Sequence, residues 1–128
     1  GHSIGVHGKH HVSWTSLADK QLEAELSECK MWLEDLLGQP IRSCCAPDGE
    51  VNRRVLRTIQ RCEFRVCCTA WPAMNRLADA GGSLSRIYVG RADTLHTFMQ
   101  KVRGAPLVYL RRKLRKAILA LHKRLLNR

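Results

Sequence analysis

Four of the six histidines in this 128-residue chain lie near its start, as His2, His7, His10 and His11. His7 and His11 are four residues apart, so a helical turn or a tight loop brings both imidazoles to one side. Imidazole ligates zinc and other divalent transition ions, and a catalytic site adds a third protein ligand, often a carboxylate, and an open position for water. By spacing alone the same two histidines also fit solvated polar residues on a basic protein. Lys9 stands between them and is expected to repel a cation at close range.

The flanks of this pair carry more information than the pair. The segment Gly1-His2-x-Ile4-Gly5-x-His7-x-x-x-His11, followed by Trp14-Thr15-Ser16-Leu17, resembles the second sequence motif of polysaccharide deacetylases. The resemblance implies that His7 and His11 bind a divalent metal, usually zinc. It also implies that the third ligand and the catalytic base come from an Asp-Asp motif upstream of this segment, which makes the chain the C-terminal portion of a larger catalytic domain. In that family an Arg-x-Pro-Tyr-Gly motif follows the next strand, and the corresponding stretch here is Cys45-Ala46-Pro47-Asp48-Gly49. Pro47 and Gly49 match, whereas Cys45 replaces the family Arg and Asp48 the family Tyr. The Asp48 backbone N–H is the expected oxyanion donor, since a backbone donor survives a change of side chain. Its carboxylate is the candidate to fill the third metal position. Pro47 and Trp71 are the candidates for binding substrate. Leu95-His96 does not match the family's Leu-x-His motif, so no general acid is assigned.

The function implied is metal-dependent deacetylation of an N-acetylated polysaccharide, in which the metal polarises the acyl carbonyl and activates water. Without the Asp-Asp motif, the chain alone is expected to be inactive or very weak and to bind zinc poorly. The alternative is a non-catalytic basic module that binds an anionic membrane surface or an acidic polymer.

The elements that must position these residues read as alternating strands and helices. Parallel strands are expected near 3–6, 41–46, 64–70 and 86–89, and helices near 17–37, 52–61, 93–102 and 107–126. Together they form an α/β fold, an incomplete (β/α) barrel of the deacetylase type. The first helix carries one apolar stripe, Leu22, Leu26, Cys29, Leu33 and Leu36, capped by Thr15 or Ser16 and stopped by Gly38 and Pro40. Asn52 caps the second, with Val55, Leu56 and Ile59 inward and Arg53, Arg54, Arg57 and Arg61 in water. The stretch from Trp71 to Ser85 reads as a loop. Open sheet edges, covered in a parent domain by a missing N-terminal half, predict self-association of this chain or cover by its last helix.

The chain is too short for a complete eight-unit barrel. Residues 1–104 are assigned to the deacetylase-like part and 105–128 to a basic amphipathic helix. Residues 1–50 carry 4 Lys or Arg against 8 Asp or Glu, and residues 51–128 carry 18 against 3. Such a basic half favours acidic partners, and residues 107–128 read first as a terminal helix packed on the core or a partner and second as a helix lying on an anionic membrane surface. No run of apolar residues long enough to span a membrane is visible, nor a signal peptide, and the compartment stays open. Aromatics are scarce, so aliphatics and cysteines are expected to fill the core. Cys29, Cys44, Cys45, Cys62, Cys67 and Cys68 read as buried thiols, with a disulfide or a metal as alternatives.

Overall fold

The computed structural model describes residues 1–71, 73–76, 82–106 and the single positions 110, 114, 117 and 118. Backbone packing divides the chain into two compact units, Gly1–Trp71 with Asn75–Arg86 and Pro72–Met74 with Ile87–Arg128. This division by packing is a separate matter from the family boundary expected after residue 104.

In the first unit, helix α1 spans Asp19–Leu37, strand β1 Ser43–Cys45, helix α2 Arg53–Arg61, strand β2 Val66–Thr69 and strand β3 Ser83–Ser85. The sheet is parallel throughout, in the order β1-β2-β3, with Cys44 opposite Cys67 and Cys68 opposite Leu84. Val6 extends it on the β1 side as a single parallel bridge to Cys44, donating its N–H to the Ser43 carbonyl at 2.9 Å. Only this one position of the strand expected over 3–6 pairs. The architecture is the incomplete α/β barrel read from the sequence, with α1 and α2 packed on the sheet.

The core follows from the apolar periodicity. Leu22 and Leu26 of α1 and Val55 and Ile59 of α2 are buried, and they meet Val6, Cys44 and Cys67 from the sheet. Trp14 is the largest fully buried side chain, so an aromatic fills a place expected for aliphatics. Leu36 is 65% exposed, so the stripe packed on the core ends at Leu33. Lys30 ties the helices by donating to the Cys62 carbonyl at 3.0 Å while its ammonium sits 5.4 Å from the Phe64 ring centre.

Two expected details are corrected. The residue capping α1 is Ala18, not Thr15 or Ser16: its N–H donates to the Gln21 side chain at 3.1 Å, while the Ser16 hydroxyl turns back to the Ser13 carbonyl. At the other end Gly38 is left-handed, as the expected stop requires. The third strand lies at Ser83–Ser85, inside the stretch read as a loop, and not at 86–89. The β-branched and aromatic run Ile87-Tyr88-Val89 suggested a strand by propensity, but ladder hydrogen bonds decide strand position. Here Cys67 N–H bonds the Gly82 carbonyl, and Asn75 holds Ser85 from both sides, accepting from its N–H at 2.8 Å and donating to its carbonyl at 2.9 Å.

In the second unit, helix α3 spans Leu95–Val102, with Thr94 as its cap. The Thr94 hydroxyl accepts from Thr97 N–H at 3.2 Å, and Lys101 pairs with Asp93 at 2.6 Å. None of its residues is buried. The helix expected over 107–126 lies mostly outside the described residues; the four positions described there, Leu110, Leu114, Ala117 and Ile118, are helical.

Candidate active site

Three segments leave the C-terminal ends of neighbouring parallel strands: His7 to Ser13 after Val6, Ala46 to Gly49 after β1, and Ala70 after β2. Segments at this end of an open parallel sheet form its binding crevice. The His7 and His11 rings meet there edge to face, with centroids 5.0 Å apart. The segment is a loop and not a helical turn, and it closes because His11 takes a left-handed backbone, φ 54°. His7 donates its Nδ1–H to the Cys45 carbonyl at 2.7 Å. That bond fixes the tautomer and leaves Nε2 with an unprotonated lone pair, the arrangement in which a histidine is oriented for a metal by its other nitrogen.

The loop is held from beneath by a residue whose role the sequence reading missed. Glu25 is buried at 5% exposure and takes two hydrogen bonds from His10, one from its N–H at 2.6 Å and one from its Nδ1–H at 2.7 Å. Burial acts to raise the Glu25 carboxyl, but the bonds and charge of His10 outweigh it and hold the group below the ordinary carboxylate range. The signal was present: Glu25 falls among Leu22, Leu26 and Cys29, at helical spacing on the buried stripe of α1. His10 thereby points to α1 while His7 and His11 share the other side. Gly8 belongs to the same closure. Its φ is +85°, and a Cβ there would lie 2.9 Å from Glu25 Oε1 and 3.3 Å from Trp14 Nε1. Lys9 turns outward and pairs with Glu28 at 2.6 Å, so its charge is matched by an acid and is not set between the histidines as expected. Arg54 is likewise more than a solvated cation, donating to Asp19 at 2.8 Å and to the carbonyls of Trp14 and Thr15.

The segment after β1 is a tight turn in which Gly49 N–H returns to the Ala46 carbonyl at 2.8 Å. Pro47 occupies the second position, which its fixed φ favours. Asp48 occupies the third, where its N–H is not used to close the turn, and its side chain is exposed. Gly49 has φ +66° and its carbonyl accepts from Ala70 N–H at 3.0 Å. A Cβ at Gly49 would lie 2.2 Å from Ala70 Cβ and 2.6 Å from its nitrogen. Glycine is therefore required for the turn to seat against the end of β2. Pro47 is half-buried and borders Gly8 of the histidine loop, whereas Trp71 is half-exposed just beyond β2.

The structure thus brings His7 and His11 together and sets the Pro47 turn beside their loop. It does not complete a metal set: among the described residues no group of three or more His, Cys, Asp and Glu side chains is placed to hold an ion. Asp48 therefore does not join the histidines as a third ligand. The six cysteines are free thiols, with Cys44 and Cys67 facing each other in the core. Contact with Cys67 and burial push the Cys44 thiol up, so it behaves as a neutral apolar group. His96 lies on α3, where Gln100 donates to its Nε2 at 2.9 Å.

Residues 1–67 match the sequence family described as polysaccharide deacetylase. No curated protein matches the sequence. Among solved structures, a Streptococcus pyogenes deacetylase, PplD, in complex with acetate is 21% identical with a TM-score of 0.72, covering 79% of this chain and 45% of its own. A polysaccharide deacetylase from Bacillus cereus is 19% identical with a TM-score of 0.66, covering 78% of this chain and 32% of its own. These two likenesses are of fold, and the chain spans less than half the length of either protein.

Proposed function

This chain belongs to the polysaccharide deacetylase family, and we propose that it carries the histidine half of a metal-dependent site that removes acetyl groups from an N-acetylated polysaccharide. One observation carries the reading: His7, oriented through its Nδ1–H by the Cys45 carbonyl, faces His11 at the C-terminal end of a parallel sheet. A divalent ion such as zinc, when bound, supplies a Lewis acid that polarises the acyl oxygen and lowers the pKa of water.

The chain's own residues do the positioning. The Cys45 carbonyl keeps the His7 Nε2 lone pair free, and Glu25 holds the loop through His10. The Pro47 turn leaves the Asp48 N–H available to a developing oxyanion, with Pro47 and Trp71 as contacts for the glycan. Two imidazoles are one ligand short of a catalytic zinc site, so on this reading a further ligand and a base must join His7 and His11 for turnover, and the two histidines alone support little or no activity.

Titration calorimetry with zinc tests the reading. The expected result is weak binding by the chain and none by the His7→Ala, His11→Ala double variant, with affinity falling in acid because a protonated imidazole cannot ligate. Equal affinity in the two proteins rejects the histidine site. Zinc-dependent release of acetate from an N-acetylglucosamine oligomer by the chain alone rejects the missing-ligand part.

A further inference from the structure

The second unit concentrates charge and apolar exposure in a way the acetyl-transfer chemistry does not use. Residues 87–128 hold 11 Lys or Arg and one acid, Asp93, and residues 107–128 hold 8 Lys or Arg and no acid. Asp93 is already committed to Lys101. Within this basic stretch Leu110, Leu114 and Ile118, each helical, follow one another at steps of four, the spacing that recurs on one face of a helix. They are 53%, 55% and 66% exposed. A polyanion in solution is bound by cations and draws nothing from a row of exposed aliphatics. A bilayer of anionic lipid uses both, taking the aliphatic row into the acyl boundary while the cations meet the headgroups. The mode is peripheral, since the eight Lys or Arg of residues 107–128 leave no uninterrupted apolar run long enough to span a bilayer.

We propose that the C-terminal segment binds the surface of an anionic phospholipid membrane through the face carrying Leu110, Leu114 and Ile118. The binding is independent of the metal site.

Flotation of the whole chain with phosphatidylcholine vesicles, with and without phosphatidylglycerol, tests the proposal. The chain is expected to float with phosphatidylglycerol vesicles at low salt, not with phosphatidylcholine alone, and progressively less as salt is added. Leu114→Glu with Ile118→Glu is expected to lower partitioning by about tenfold or more. Replacing Arg111, Arg112 and Lys113 by Gln leaves the aliphatic row intact and is expected to lower it about fivefold per cation. Three results overturn the proposal. One is no flotation with phosphatidylglycerol at low salt. Another is undiminished flotation of the Leu114→Glu, Ile118→Glu variant together with equal binding of a DNA duplex by both proteins, which assigns the face to polyanions. The third is a self-associated chain that this variant dissociates and that never floats, which assigns the row to a second copy.

Discussion

The two packing units differ in how they hold their polar groups. In the first, polar side chains that matter are enclosed: Glu25 is 5% exposed and bonded twice to His10, and Gly8 and Gly49 permit approaches that a Cβ would block. In the second, α3 has no buried residue and relies on its Thr94 cap and the Asp93–Lys101 pair, both local in sequence. Burial makes a polar contact expensive to lose and leaves it one geometry. Local caps and ion pairs stabilise an element without fixing distant residues, so a site needing two imidazoles in a set relation belongs to the first unit.

Gly49→Ala should produce the largest effect. The added Cβ meets the Ala70 backbone, which cannot yield as a flexible side chain does, and the residue must keep a left-handed φ. A loss of about 3 kcal/mol in urea unfolding is expected. A loss within error would show that the turn after β1 is not seated against β2.

Glu25→Ala comes next. It leaves the His10 N–H in a closed loop without its acceptor, at a cost of about 2 kcal/mol in the same measurement, with faster hydrogen exchange at residues 8–11. The sign of the pH dependence follows from the lowered Glu25 carboxyl. Its stabilisation is complete above the ordinary value of 4.5 and is lost as pH falls through the lower folded value. The gap between parent and variant should therefore close in acid, and a gap that widened there would contradict the clamp.

Asp93→Asn should have the smallest effect. Lys101 holds the Asp93 carboxyl below its ordinary 3.8, so the pair is present at neutral pH and fades only in strong acid. The variant should raise amide exchange across α3 while leaving the exchange of α1 and α2 as it was. If it destabilised the chain as much as Glu25→Ala, the contrast between enclosed and local polar contacts would fail.

Much of this arrangement was readable beforehand, for reasons of periodicity and motif. The stripe Leu22-Leu26-Cys29-Leu33 placed α1 against a sheet, Asn52 and Gly38 marked helix ends, and the spacing of His7 and His11 with their glycine-rich flank named a family that the match over residues 1–67 establishes. Each is local, resting on residues within a few turns of one another.

What tertiary structure decided lies between residues far apart in the chain. Strand β3 sits at Ser83–Ser85 because β2 and Asn75 supply its partners, which propensity at Ile87-Tyr88-Val89 does not encode. The His7 tautomer depends on a carbonyl 38 residues away, and Glu25 becomes a clamp only because the loop folds back over α1. Helical spacing says that a carboxylate lies on a buried face. Only the folded chain says which donors make that burial tolerable, because a buried charge is stable solely where its partners are delivered to it.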